Sequence, residues 1–206
     1  MNEVNEQKST GDFVGKGSSN SEASTRYSVI NLEGCQHILR AQLSGAVVLP
    51  HGLGLNQEAY PILIKALHDE DLIQQEMKWH TEDRRLIRAC AESCRELFSK
   101  REDERQALIK LLCRYRNLQD PSSEQMAIII ATASLSTFHL WESLGLPERS
   151  VFVGLMHYNF PELYALNTQN MRWKRFFYHM LCEQGGDNIY KTPSCDACDS
   201  YAECFA

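Results

Sequence analysis

Three cysteines near the carboxyl end of the chain, with a fourth upstream, have the spacing of metal or cluster ligands. Cys195, Cys198 and Cys204 fall within ten residues, and twelve residues separate Cys182 from the first of them. The two-residue gap lets one tight turn direct two thiolates at a single centre. Such a set binds tetrahedral zinc, with Cys182 as the fourth ligand, or an iron–sulfur cluster. Free cysteines are often small buried core residues, but a core does not require this spacing.

The helix that must position these cysteines is predicted over residues 170–182. At 3.6 residues per turn its side chains divide into two stripes. The apolar stripe should pack on the rest of the domain, and the second should face the segment that follows. The members of the apolar stripe are Trp173, Phe176, Phe177 and Met180. The members of the second stripe are Arg172, Arg175, His179 and Cys182.

Helical patterns also dominate the chain before this point. The predicted helices cover residues 36–43, 61–67, 82–100, 103–116, 123–144 and 148–158. The fifth of these is one helix or a kinked pair, with a capping box of Ser122 and Gln125 at its start and a stop at Gly145. Strand signals are weak and confined to residues 46–49. We therefore predict a mainly α fold, a helical bundle.

Composition divides the chain into three parts. Residues 1–26 carry glycines and serines with almost no large apolar side chain, which predicts a disordered N-terminal tail. Residues 27–181 should form the helical domain. Residues 182–206 should form a short cysteine-rich C-terminal segment that binds a metal or cluster. A chain of 206 residues is long enough for one domain of ordinary size with such appendages.

Charge and hydropathy narrow the classes of function. The formal net charge is −6, opposite in sign to what a protein needs to neutralise nucleic-acid phosphates. No apolar stretch approaches the roughly 20 residues that cross a bilayer, and the amino terminus lacks a secretory signal. We therefore expect no nucleic-acid partner, no membrane span and a cytoplasmic location. In that reducing compartment, clustered thiols are more often metal ligands than disulfide partners.

Several weaker features are interpreted structurally. His139 is expected to be a helix histidine that is hydrogen-bonded within the core. Cys90 and Cys94, four residues apart on one predicted helix, are expected to pack in the core rather than chelate a metal. The charged run of residues 101–105 is expected to be a solvated helix start.

The sequence resembles the NifQ family from about residue 101 to its end. The resemblance rests on residues 139–146 (HLWESLGL), 159–163 (NFPEL) with Asn167, and 171–178 (MRWKRFFY). It continues through residues 181–183 (LCE) and 193–198 (PSCDAC) to Tyr201 and Cys204. Before residue 100 the match is loose, at residues 53–55.

The resemblance implies a molybdenum donor for nitrogen fixation that turns over no organic substrate and is therefore no enzyme. The cysteine segment would hold a molybdenum–iron–sulfur cluster. The cluster would be passed to the nitrogenase cofactor scaffold complex and the nitrogenase iron protein during biosynthesis of the iron–molybdenum cofactor. Cys195, Cys198 and Cys204 fall on three of the four cysteines in the family pattern C-x4-C-x2-C-x5-C. The fourth family cysteine falls on Tyr190, which is a departure from the pattern.

Coordination chemistry offers a way to complete the site. A cuboidal cluster of three irons and one molybdenum needs one thiolate per iron, which Cys195, Cys198 and Cys204 supply. The molybdenum corner could take His179, Cys182, a carboxylate or a small oxygen ligand, because molybdenum tolerates harder donors than iron does. A labile corner suits a donor, since transfer requires that the metal can leave.

Two interpretations of the neighbouring charges stay open, as do two other functions. Arg172, Lys174 and Arg175 could offset an anionic cluster or bind molybdate, or they could form an ordinary solvated helix face. The alternative functions are a structural zinc-binding interaction protein and a small iron–sulfur electron carrier.

Overall fold

The computed structural model describes residues 27–183, and helical residues make up 72% of this range, which contains no strand. The predicted mainly α class is confirmed for this part of the chain. The predicted disordered tail of residues 1–26 lies outside the described residues. So does the cysteine-rich segment after Glu183, and both therefore stay predictions. No helix within residues 27–183 is long and apolar enough to cross a membrane.

Ten α-helices follow one another along this range. They are α1 (Val29–Ser44), α2 (Ala59–Leu67), α3 (Glu70–Met77), α4 (Arg85–Ser99), α5 (Glu102–Arg114), α6 (Ser122–Ser134), α7 (Leu140–Ser143), α8 (Arg149–Asn159), α9 (Pro161–Leu166) and α10 (Trp173–Glu183). Two short 3-10 turns, His51–Gly54 and Glu82–Arg84, precede α2 and α4.

Helix α6 forms the centre of the described domain. Ile129, Ile130, Ala131 and Ala133 are fully buried, and residues on several faces of the helix are inaccessible to solvent. A helix that is apolar nearly all round belongs in a core. Helix α5 packs along α6, and α10 packs on α5. Helix α10, the last described helix, is thus attached to the central helix α6 through α5.

The range 123–144, predicted as one helix or a kinked pair, contains two separate helices, α6 and α7. Residues 135–139 separate the two, and the carbonyl of Leu135 accepts a hydrogen bond from the Arg101 side chain (2.6 Å). The predicted stop is confirmed: Gly145 has a φ of +66°, and its N–H donates to the Glu142 carbonyl (2.9 Å). A Cβ at Gly145 would lie 2.1 Å from the Cβ of Ala41, so only glycine fits there.

The predicted capping box at the start of α6 is wrong. Ser122 is the first residue of the helix, and its side chain does not cap the first turn. Instead, the backbone N–H of Ser122 donates to the Asp120 carboxylate at 2.8 Å. Aspartate and serine accept hydrogen bonds from a helix start equally well, so the sequence pattern identified the start of α6 but not the residue that closes it.

Helix α4 leaves several of its apolar side chains exposed to solvent. Ala91 and Cys94 are buried, whereas Leu86 is 79% exposed and Leu97 is 60% exposed. Cys90 is also exposed, so its predicted core position is wrong, while that of Cys94 is confirmed.

A buried amide pair connects the first helix to the end of α8. The side-chain amides of Asn31 and Asn159 donate to each other's oxygens, at 2.8 and 2.7 Å, and neither residue is accessible to solvent. The Ser123 hydroxyl donates to the Asn159 amide oxygen (2.8 Å), and Asn31 also donates to the Ser122 hydroxyl (2.8 Å). Helices α1, α6 and α8 are thereby joined through groups that water cannot reach.

Replacement of Asn159 by alanine should therefore destabilise the domain. The amide oxygen of Asn31 and the hydroxyl of Ser123 would lose the amide of Asn159 inside the core, and such loss costs about 2–4 kcal/mol for two groups. Urea denaturation followed by circular dichroism measures the change. Gln74→Ala, at an exposed position of α3, is the control and should stay within about 0.5 kcal/mol of wild type. Equal denaturation midpoints for Asn159→Ala and wild type would contradict the structural role of this pair.

Candidate functional site

Helix α10 has one buried apolar side, as its sequence predicted. Trp173, Phe176 and Phe177 are buried, and Met180 is partly buried against the core. The Trp173 ring stacks on Tyr164 of α9 (centroids 5.8 Å apart) and meets Phe152 of α8 edge to face (6.1 Å). These contacts fix the rotation of α10, because turning the helix would expose the aromatic rings.

The opposite side of α10 presents two candidate ligands near the carboxyl end of the helix. His179 and Cys182 are both exposed. They lie one turn apart, with a rise of about 4.5 Å between them along the helix axis. The Nε2 atom of His179 is 3.3 Å from the Glu183 carboxylate, which can orient the imidazole. Both side chains therefore lie away from the core, as the division into two stripes predicted, and the segment that the second stripe is expected to face lies outside the described residues.

The other described cysteines are either more buried than Cys182 or lie on a different helix. Burial raises the pKa of Cys35 to about 12 and that of Cys94 to about 11, so these thiols stay protonated and are poor metal ligands. Burial, with a smaller contribution from Glu124, also raises the pKa of Cys113. Among residues 27–183, only Cys90 and Cys182 are exposed cysteines, and Cys90 lies on α4.

The described residues do not by themselves complete a metal site. Within residues 27–183 no three His, Cys, Asp or Glu side chains are grouped closely enough to hold a metal ion. Cys195, Cys198 and Cys204, and Tyr190 at the position of the fourth family cysteine, lie outside the described range. His179 and Cys182 therefore contribute at most part of a ligand set, and the convergence of the other three thiolates stays a prediction.

Lys174 does not belong to the exposed basic face on which the sequence placed it. It is 8% exposed, and its ammonium donates to the Ser136 carbonyl (2.8 Å), the Ser136 hydroxyl (3.1 Å) and the Phe138 carbonyl (2.5 Å). Burial, reinforced by the positive charge of Arg101, lowers the pKa of Lys174 to about 7. The amine is therefore a structural donor to the loop between α6 and α7.

A buried charged cluster anchors α10 to the start of α5, and the sequence interpretation missed it. Glu104 is 7% exposed and accepts from Arg101 at 2.5 and 2.7 Å and from the Tyr178 hydroxyl. Burial, and then the hydrogen bond to Glu104, raises the pKa of Tyr178. The predicted solvated helix start at residues 101–105 is thus wrong for Glu104. The available signal was an Arg and a Glu three residues apart, which occurs on exposed helix faces as well.

His139 is exposed rather than buried in the core, so the predicted core position is wrong. It directly precedes α7, and its backbone N–H donates to the Glu142 carboxylate (3.2 Å). Its Nε2 atom lies 3.4 Å from Nη1 of Arg172, the residue just before α10. The structure therefore brings His139 next to Arg172, a partly buried member of the second predicted stripe.

The exposed side chains at the end of α10 are chemically suited to binding a metal. A thiol and an imidazole face solvent at the carboxyl end of a rigidly held helix. Soft thiolate and borderline imidazole ligands suit iron, zinc and related metals.

Comparison with known protein families covers most of the chain. A family model described as NifQ matches residues 35–206. This match includes most of α1 and all of α2 to α4, so the relationship extends well before residue 101, where the sequence resemblance had begun. It also includes the segment with Cys195, Cys198 and Cys204. No solved structure matches the chain.

Curated relatives give the same result. Protein NifQ of Azotobacter vinelandii is 39% identical over 170 residues, which is 82% of this chain and 85% of that protein. Protein NifQ of Klebsiella pneumoniae is 37% identical over 163 residues, or 79% of this chain and 90% of that protein. Protein NifQ of Rhodobacter capsulatus is 41% identical over 103 residues, or 50% of this chain and 57% of that protein. The chain belongs to the NifQ family.

Proposed function

We propose that this protein is a cytoplasmic molybdenum donor that carries a molybdenum–iron–sulfur cluster for biosynthesis of the nitrogenase iron–molybdenum cofactor. The NifQ family is associated with nitrogen fixation. The cluster is the cargo of the protein. Its acceptors are the nitrogenase cofactor scaffold complex and the nitrogenase iron protein, and no organic substrate is converted.

The observation that carries this proposal is the exposure of His179 and Cys182 on the last turns of α10. If Cys182 were buried, the structure would support its interpretation as an ordinary core cysteine. Instead, the thiol and the imidazole lie on one side of the helix, at the end from which the chain continues into the segment with Cys195, Cys198 and Cys204. Their placement fits a cluster that is held between α10 and that segment.

The candidate ligands fall into two groups, one suited to iron and one suited to molybdenum. Cys195, Cys198 and Cys204 provide one thiolate for each of three irons, which is the ligand type that iron–sulfur clusters use. His179 and Cys182 are the candidates for the molybdenum corner. An imidazole held by one exposed contact to Glu183 can dissociate without breaking the fold, and this suits a metal that must leave.

The charges on α10 support the same assignment in part. Arg172 and Arg175 lie along the side of the helix that carries His179 and Cys182, and guanidinium groups recognise oxyanions well. They are suited to a molybdate source or to an anionic cluster. Lys174 takes no direct part, because its ammonium is buried and donates to Ser136 and Phe138.

The colour of the purified protein distinguishes a cluster carrier from a structural zinc protein. Protein purified without oxygen should be brown, with charge-transfer absorption in the visible range, because thiolate-bound iron absorbs there and zinc does not. Colourless protein with bound zinc would overturn the proposal. Brown protein with iron but no molybdenum, after loading with both metals, would identify an electron carrier instead.

Single replacement of Cys195, Cys198 or Cys204 by alanine should lower the iron and molybdenum contents together. Each variant loses one iron ligand, and an incomplete cluster binds its remaining metals more weakly. The contents are measured by elemental analysis after anaerobic loading. Cys90→Ala is the matched control, because Cys90 is an exposed thiol on a different helix. Unchanged metal contents in all three variants would contradict the role of the cysteine segment.

Replacement of His179 by alanine should lower the molybdenum content more than the iron content. His179 is assigned to the molybdenum corner, whereas the irons keep their thiolates. The molybdenum-to-iron ratio after loading is the measurement, with Cys182→Ser tested in parallel. His157→Ala, at an exposed histidine on α8, is the control. A ratio equal to wild type in both the His179 and Cys182 variants would remove these residues from the site.

A further inference from the structure

Helix α4 carries an exposed stripe of apolar and small side chains next to the side that packs on the core. Leu86 is 79% exposed and Leu97 is 60% exposed, and the two members between them, Cys90 and Ser93, are exposed as well. Successive members are four, three and four residues apart. This is the spacing of a seam along which two helices pack. The outer stripe of α4 is the name used below for Leu86, Cys90, Ser93 and Leu97.

The outer stripe lies between the buried side of α4 and a charged side. On the buried side, the Cys94 thiol donates to the carbonyl of Val48 (3.5 Å), and Val48 itself is 54% exposed. Apolar surface therefore continues past the outer stripe on this flank. On the other flank, Arg85 and Glu96 are both exposed and lie eleven residues, or about three turns, apart. Single exposed apolar side chains are ordinary on a protein surface, whereas a contiguous patch marks an interaction surface.

The outer stripe has the same spacing when it is read from either end of the helix. In an antiparallel pair of α4 helices, Leu86 of each copy lies opposite Leu97 of the other copy. Cys90 then lies opposite Ser93, because both pairs share one midpoint along the helix. A two-fold symmetric interface requires this property, since residue i contacts residue j and j contacts i. The small side chains in the middle let the two helix axes approach closely.

The charged flank favours the antiparallel direction over the parallel one. In the antiparallel pair, Arg85 of each copy lies near Glu96 of the other copy, so opposite charges meet at two places. In a parallel pair, Arg85 would lie near Arg85 and Glu96 near Glu96, and like charges repel each other. Within one copy Arg85 contacts Glu82 at 3.4 Å, and because both side chains are mostly exposed, this ion pair holds Arg85 weakly.

The size of the surface indicates a dimer that forms reversibly. Helix α4 has 15 residues, so it is about 22 Å long, and a helix with its side chains is about 10–12 Å wide. The strip that a second α4 covers is therefore roughly a few hundred Å² on each copy, below the roughly 800 Å² of a standard interface. Interfaces of this size are typical of transient complexes.

We propose that the outer stripe of α4 is a dimer interface, at which a second copy of this chain packs its own α4 in the antiparallel direction. This inference goes beyond the proposed donor function and does not depend on it, because α4 carries none of the residues assigned to the cluster.

Self-association of the full chain tests the interface. Sedimentation equilibrium is measured without oxygen and with a thiol reductant, at protein concentrations from about 1 µM to about 1 mM. Wild type should change from monomer to dimer within this range. Leu86→Lys and Leu97→Glu should each dimerise at least about 10-fold more weakly, because a charge enters both facing pairs of leucines. Leu118→Lys, at a leucine outside α4 that is 77% exposed, is the control and should match wild type.

The double variant Leu86→Lys with Leu97→Glu tests the direction of the two helices. Antiparallel pairing places each new ammonium opposite a new carboxylate of the other copy, whereas parallel pairing would place like charges together. The double variant should therefore dimerise more tightly than either single variant. All variants should give the circular dichroism spectrum of wild type, because the replaced side chains are exposed.

Three results would overturn the inference. A wild type that stays monomeric at every concentration would show that something other than a second copy covers the outer stripe. Wild-type dimerisation in both single variants would place the dimer interface elsewhere. A double variant that dimerises no more tightly than the single variants would exclude the antiparallel pair. The metal content after anaerobic loading is a separate measurement, so each of these results would leave the proposed donor function intact.

Discussion

The side chains of Arg101 and Lys174 donate hydrogen bonds to the backbone carbonyls at the carboxyl end of α6, and the placement of α10 depends on these contacts. The carbonyls that follow the last turn of α6 accept hydrogen bonds from Arg101, at the start of α5, and from Lys174, in α10. The negative end of a helix dipole favours such cations. Because Arg101 also binds Glu104, which accepts from Tyr178 of α10, three helices are joined through one connected set of polar contacts. The exposed side of α10 is therefore held in a fixed direction.

This constraint gives the two sides of α10 different tasks. Aromatic packing around Trp173 and the buried contacts of Tyr178 and Lys174 hold the helix in place. His179 and Cys182 take no part in that packing and stay accessible. Metal ligands that serve in delivery must be reachable by an acceptor, yet their support must not move when the metal leaves. For the proposed donor role, the separation of the anchoring side chains from the candidate ligands would meet both requirements within one short helix.

The local sequence pattern predicted what depends on helical period, and it failed where distant residues decide. The two stripes of α10 follow from spacing alone, and the structure confirms them for Trp173 and for His179. Lys174 falls between the stripes, and only the carbonyls of the loop after α6 explain why it is buried. Glu104 looked solvated because its neighbours in sequence are charged, whereas Tyr178, 74 residues later, covers it. The spacing of Cys90 and Cys94 on one helix does not show how much of that helix its neighbours cover, and Cys90 is exposed.

The central claim is that this protein carries molybdenum together with iron in one thiolate-bound cluster. Quantitative elemental analysis of the wild-type chain, purified and loaded without oxygen, tests it most directly. The account predicts about one molybdenum for every three irons, with sulfide present and zinc absent. Zinc as the main bound metal, or iron without molybdenum, would contradict it.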